Sequence, residues 1–261
     1  MNITGMIRKC FRKFNIDVVR YSSNQKLVDE AHKLRPRVAL LAVLPDEALR
    51  PAISALPESK SQLCQDIFAL ATSGFKRGGF FVEFGATDGL NLSNTWLLEK
   101  RFSWSGILAE PARTWHAALA RNRSAAIEHD CVWSRSGDML TFSEVQGRSE
   151  LSTISSLADK DPLASWRHGA RQYQVKTIAF NELLERHGAP ARMDFLSIDT
   201  EGSEYEILAS LDWSRWKFDL IVCEHNFTPN RERIHDLLAG VGYERVHVDV
   251  SEFDDWYILR G

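Results

Sequence analysis

The run Phe80-Phe81-Val82-Glu83-Phe84-Gly85-Ala86-Thr87-Asp88-Gly89 constrains this chain more than any other stretch. Its apolar first half suits a strand covered on both faces of a sheet, and its break into Gly, Thr, Asp and Gly suits a turn into a helix. Glycines let the backbone approach a ligand closely, and the following helix start presents unpaired N–H groups. The spacing is not GxGxxG, because Gly85 and Gly89 lie four apart. Glu83 also sits inside the strand, where it would repel a pyrophosphate. A ligand with a positive centre fits better, and the sulfonium of S-adenosylmethionine is the first candidate. Taken alone, the run is equally an ordinary strand–turn–helix.

The pattern beyond it alternates strand and helix. Strands are expected at Ile107–Ala109, Ala125–Asp130, Met193–Ile198 and Phe218–Cys223. Helices are expected from Thr114 to Asn122, Asn181 to His187, Ser203 to Leu211, and from Thr228-Pro229 to Gly240. Arg245–Val250 and Trp256–Leu259 flank a polar turn and predict a closing antiparallel hairpin. Residues 139–178 are less regular, with β-like pieces at Leu140–Phe142 and Val175–Ile178. Alternating βα units predict an α/β fold, doubly wound around a mostly parallel sheet, with the hairpin supplying one reversed strand. Residues 1–58 read as a helical N-terminal accessory region, cut into short helices by Pro36, Pro45, Pro51 and Pro57. Residues 59–261 read as the main domain, with Ser59 capping the helix before the first strand.

Composition narrows the classes. A net charge of −3 over 261 residues gives no reason to expect nucleic-acid binding. Cys10, Cys64, Cys131 and Cys223 are scattered without a CxxC pair, which suits reduced thiols in the cytoplasm. No apolar run reaches the roughly 20 residues of a membrane span, and no signal-peptide core is evident. Met6 to Arg20 places Arg8, Lys9, Arg12, Lys13 and Arg20 among Met6, Ile7, Cys10, Phe11 and Phe14 at helical spacing. Such a segment rests on an anionic membrane surface, docks a partner, or packs on its own domain.

Acidic residues close strand after strand: Asp88, Glu110, Asp130, Asp199 with Glu201, and Glu224. In an open α/β sheet these ends line the ligand crevice. Glu110 lies 21 residues after Gly89, where a ribose-binding acid belongs. Asp130 would then reach the adenine amino group, with the backbone of Cys131 and Val132 along the ring edge. A loop or capping role remains the alternative for Asp130, and Glu201 and Glu204 equally suit capping the next helix.

The first run, followed by Ser93-Asn94-Thr95, Leu98-Glu99 and Glu110-Pro111, and later by Asp194-Phe195-Leu196-Ser197-Ile198-Asp199-Thr200-Glu201-Gly202, resembles the FkbM family of methyltransferases. Gln65-Asp66 upstream fits the same pattern. The resemblance spans roughly residues 60–250. It implies a class I methyltransferase (Rossmann-like) fold with a seven-stranded sheet, S-adenosylmethionine as cofactor, and O-methylation of a sugar, glycan or related small molecule. Carried across, it makes Glu83, Gly85, Glu110 and Asp130 cofactor residues, and with them the neighbouring Ala86, Thr87, Asp88, Pro111, Cys131, Val132 and Asp199.

A hydroxyl is a weak nucleophile and needs a base or a metal. His225, at the fifth strand's end, is the candidate base or else a packing or capping histidine, with Asp199 and Glu201 as further catalytic candidates. Asp199 and Glu224 are the candidate ligands of a divalent cation, magnesium or manganese, completed by Asn226 or His225. Trp133, Trp166, His168 and Tyr173 either stack on a sugar ring or pack in the core, and Ser152–Ser156 form either a polar lid or a solvated loop. Expected partners are the acceptor and a second copy of the chain. The other classes open to these residues are a dinucleotide-dependent oxidoreductase or epimerase and a non-catalytic cofactor-binding module.

Overall fold

Apolar runs at 80–84, 105–109, 192–198 and 217–224 become adjacent parallel strands in the computed structural model, which describes residues 21–159 and 163–260. We number its elements along the chain. Strands β1 (Phe80–Phe84), β2 (Ser105–Ala109) and β3 (Ala126–Glu128) run outward in one direction. On the other side of β1 lie β8 (Arg192–Ile198) and β9 (Lys217–Glu224), then β11 (Asp254–Leu259) and β10 (Tyr243–Val246). The order is β10-β11-β9-β8-β1-β2-β3, and β11 alone runs against both its neighbours. The predicted hairpin thus supplies the single reversed strand.

Successive residues of each strand feed opposite layers, as a period of two requires. Phe81, Leu108, Phe195, Leu220 and Trp256 face one core, and Val82, Ile107, Leu196, Ile221 and Tyr257 face the other. The second layer is completed by α6 (Phe180–Arg186), α7 (Glu204–Ala209) and α8 (Asn230–Gly240) through residues such as Leu183, Ile207 and Leu238. The first layer takes Ile67 and Leu70 from α3 (Gln65–Thr72), Leu97 and Leu98 from α4 (Trp96–Phe102) and Leu119 from α5 (His116–Asn122). It also takes Leu40 from α1 (Tyr21–Val43) and Ala48, Ala52 and Ala55 from α2 (Asp46–Ala55). The described part of the N-terminal region is therefore helical and contributes to the main core. The basic segment 6–20 lies outside the described residues. No helix among the described residues is long and apolar enough to cross a membrane.

Several local expectations are corrected. Pro36 and Pro51 lie inside α1 and α2 and do not end them. Helix α3 starts after Cys64, whose φ is +63°. Ser59 does not cap it but donates to the Asp66 carboxylate at 2.7 Å. Strand β3 stops at Glu128 because that side chain takes the N–H groups of His129 and Asp130 at 3.0 Å. Residues after Val246 turn into the short helix α9 (Val248–Ser251), with His247 at φ +54°.

The irregular region forms a second sheet. Its order is β4 (Cys131–Trp133), β7 (Arg171–Ala179), β5 (Met139–Glu144) and β6 (Thr153–Ile154), over a small core of Ala112, Phe142, Ile154 and Val175.

Candidate active site

The strand order reverses between β1 and β8, so a crevice opens beyond their carboxyl ends. Phe84 pairs with both Ala109 and Ile198, which brings Gly85, Glu110 and Asp199 level with one another. Gly85 has φ +77°, and a Cβ there would stand 2.0 Å from the Asp199 carbonyl oxygen. Only glycine lets the two strand ends approach this closely. A cavity of about 270 Å³ occupies the crevice.

Around that cavity the structure gathers Glu83, Gly85, Thr87, Glu110, Pro111, Cys131, Val132, Asp199, Glu201 and Glu224. The Glu110 carboxylate accepts the Thr87 N–H at 2.8 Å and the Ala112 N–H at 2.7 Å, which fixes its plane. Burial pushes its pKa up to about 7, against the pull of those two donors. The bonded donors leave acceptor lone pairs free on both oxygens, as a ribose diol requires. A site with this acid, the Gly85 approach and further carboxylates for a cationic centre fits S-adenosylmethionine.

Ala86 and Asp88 do not line the cavity. Ala86 is packed in the core, and Asp88 accepts the N–H groups of Leu90 and Asn91, both at 2.8 Å, to shape its own turn. Asp130 does not line it either. With β3 ended at Glu128, its carboxylate lies 3.5 Å from Arg186 and 3.9 Å from Lys176.

The electrostatic role expected of Glu83 is also changed. Its oxygens accept from Thr95 Oγ1 at 2.6 Å, the Asn94 N–H at 2.7 Å and Ser93 Oγ at 3.1 Å. Arg123 Nη1 stands 3.5 Å away, fully buried, and its Nε bonds Glu99 at 2.7 Å. Glu83 therefore anchors the loop after β1, and Arg123 offsets its charge.

Asp199, Glu201 and Glu224 line the cavity with ligand atoms within 4.8 Å of one another. Burial raises Asp199 to about 6, with the neighbouring Glu204 and Glu83 charges adding to it. Burial, then the Asp199 and Glu201 charges, raise Glu224 well above the usual carboxylate range. Burial and the surrounding charges therefore favour the neutral form of Glu224, which is hydrogen-bonded to Asp199. Glu201 sits at φ +56° and accepts Arg167 Nη2 at 2.7 Å and Asn226 Nδ2 at 3.4 Å. Glu204 accepts the N–H groups of Thr200 and Gly202 at 2.9 and 3.0 Å and shapes the turn into α7. Of the two acids weighed as caps, only Glu204 does that work.

His225 is not placed as a base. Its Nδ1 accepts the Phe227 N–H at 3.0 Å, so the proton is on Nε2, which donates to the Asp254 carbonyl at 3.1 Å. Burial lowers its pKa, and neither nitrogen is left for an acceptor or a cation. The place considered for it beside Asp199 and Glu224 is taken by Glu201.

Other wall residues escaped the sequence reading. Asp254, at the start of the reversed strand, is fully buried, accepts Gln65 Nε2 at 2.7 Å and is pushed by burial to about 8. Residues 149–152, Ile154 and Leu163 form the roof. Arg167 fastens it by donating to the carbonyls of Leu151 at 2.8 Å and Ala158 at 3.2 Å as well as to Glu201. Thr153 Oγ1 donates to the Glu201 carbonyl at 2.8 Å. Within the expected polar lid, residues 153–154 are a buried strand, while Ser152 and Ile154 face the cavity. Trp133, Trp166, His168 and Tyr173 do not line it. The Tyr173 hydroxyl donates to Glu144 at 2.7 Å, and Trp166 stacks with Arg148 at 4.0 Å.

A seven-stranded sheet of this order, with one reversed strand next to the edge and its ligand crevice at the β1/β8 reversal, defines a class I methyltransferase. The model of the methyltransferase FkbM domain matches residues 83–257, and the chain belongs to that family. It is a methyltransferase. Among solved structures, it is similar to the methyltransferase FkbM from Methylobacillus flagellatus KT at 12% identity, over 88% of this chain and 60% of that one, with a TM-score of 0.43. It is also similar to precorrin-6y C5,15-methyltransferase from Geobacter metallireducens GS-15, at 12% identity over 69% and 71% of the two chains, with a TM-score of 0.38. No curated protein matches.

Proposed function

We propose that this methyltransferase uses S-adenosylmethionine to methylate a hydroxyl of a sugar, glycan or related small molecule. The observation that supports this reading is the trio Asp199, Glu201 and Glu224 inside the same cavity as Glu110. Methylation of an alcohol needs proton removal near the cofactor, and this cluster is the chemistry available there.

When bound, S-adenosylmethionine supplies an electrophilic methyl group on a sulfonium. Glu110 would accept the ribose hydroxyls, the backbone at Gly85 and Thr87 would lie against the cofactor, and Cys131 and Val132 would border the adenine. Asp199, with its pKa near 6, is mostly ionised at neutral pH and takes the acceptor hydroxyl proton as the oxygen attacks. A positioned base of this kind contributes about 10²–10⁴-fold, and holding nucleophile and methyl in line contributes roughly 7–11 kcal/mol. The three carboxylates are also the hard oxygen donors that magnesium or manganese prefers. They would hold such a cation, which would polarise the hydroxyl.

Asp199→Asn is expected to lower turnover at saturating S-adenosylmethionine by at least about 10²-fold, a loss larger than any weakening of the cofactor measured by calorimetry. Turnover is read as the mass gain of one methylene on extracted glycans and small molecules. Stripping with EDTA and adding back magnesium or manganese separates the two forms of activation. A variant with unchanged turnover would sink the assignment of Asp199.

A further inference from the structure

Helix α1 meets the core only through its C-terminal end, and residues 22–28 and 30–35 are exposed. Pro36 and Leu40 are buried on the inner face. On the outer face Leu27, Ala31, Leu34 and Val38 follow one another at i, i+4, i+7 and i+11, a single stripe of a helix. Leu27 is 62% exposed, Leu34 59% and Val38 57%. Scattered single apolar residues need no explanation, but a continuous stripe does.

Charge says what covers it. Lys26, Lys33 and Arg37 flank one side of the stripe and Arg35 the other, with Glu30 the acid beside it among the described residues. Residues 1–38 carry nine basic and three acidic side chains, a net of +6 in a chain of −3, which leaves −9 on the remainder. Two copies meeting through this face would bring like charges together. An anionic surface is complementary, and an apolar stripe bordered by Lys and Arg is the pattern of a helix lying in the plane of a lipid interface.

We propose that the outer face of α1 docks the protein on an anionic lipid bilayer. The stripe enters the acyl boundary while the flanking lysines and arginines meet the headgroups, each contributing roughly fivefold in affinity. Arg35 reaches Glu252 at 3.9 Å, just before Phe253 and Asp254 in the cavity wall.

The test is co-sedimentation of the full chain with vesicles of phosphatidylcholine alone and of equal parts phosphatidylcholine and phosphatidylglycerol. Binding is expected to the anionic vesicles only, weakening several-fold as salt is raised. Leu27→Glu/Leu34→Glu/Val38→Glu is expected to lose at least about tenfold in vesicle affinity, with S-adenosylmethionine binding unchanged. Lys26→Gln/Lys33→Gln/Arg35→Gln, which leaves the stripe intact, is expected to lose the preference for anionic lipid. Absence of binding to anionic vesicles, or wild-type binding by both variants, overturns the proposal. So does a change from dimer to monomer in the first variant with vesicle binding unaltered, which would make this face an interface between copies.

Discussion

An acid buried in a ligand cavity serves the ligand or serves the protein, and hydrogen-bond partners decide which. Glu110 spends only two lone pairs on backbone N–H groups, whereas Glu83 is fully engaged by its loop and by Arg123. Glu110→Gln should weaken S-adenosylmethionine by tenfold or more in calorimetry, about the loss of one charge-assisted hydrogen bond. The wild-type affinity should also fall as pH drops below about 7, because the protonated acid accepts poorly, and the variant should be flat over that range. The ligand-free fold changes in the opposite sense. A carboxyl raised from its usual value to about 7 contributes stability at low pH that is lost as pH rises towards 7, and added cofactor should reverse that loss. Arg123→Ala strands Glu83 and Glu99 without their buried cation and should cost about 3–5 kcal/mol in chemical denaturation. Glu83→Gln/Arg123→Met should recover part of it. At this scale Glu110 was legible because its spacing from Gly89 is set by one βα unit. His225 was misread because position after a strand says nothing of where the ring nitrogens point.

Elements carry the next level of constraint. The join of β1 and β8 depends on Gly85, where a side chain would meet both a left-handed φ and the Asp199 carbonyl at 2.0 Å. Gly85→Ala should lower the melting temperature and abolish cofactor binding together. Gly137→Ala is the control: its φ is +85° with nothing within 4 Å of the new carbon, so it should cost only about 1–2 kcal/mol and leave binding intact. The parallel strands were legible because burial on both faces makes them continuous apolar runs. The second sheet was not, since β5 pairs with β7 across a long excursion and each strand is half polar. Asp254 was hidden for a geometric reason. Acids were sought where strands end, but β11 is reversed and enters the cavity wall with its first residue.

For the whole molecule, the division at residue 58 is less clean than composition suggests. Leu40, Leu44, Ala48, Ala52, Ala55 and Leu56 all belong to the layer under Phe81 and Trp256. A fully buried leucine contributes about 1.5–3 kcal/mol, and a domain's net stability is only about 5–15 kcal/mol. Removing residues 1–58 should therefore yield a chain that aggregates or shows no cooperative melting transition. A soluble fragment with wild-type melting behaviour would restore the view of this region as an accessory.

The reversed strand has a consequence for how the chain is made. Strand β11 fills the slot between β9 and β10, yet it is translated after both. Until residues 254–259 leave the ribosome, β9 keeps an open edge and β10 has nothing to pair with. A nascent chain halted short of Trp256 therefore presents an unpaired, apolar strand edge to its surroundings, the kind of surface that recruits chaperones or seeds aggregation. Assembly of the sheet is thus gated by a strand that follows both of its neighbours in sequence, so the catalytic crevice can close only after residues 254–259 have emerged.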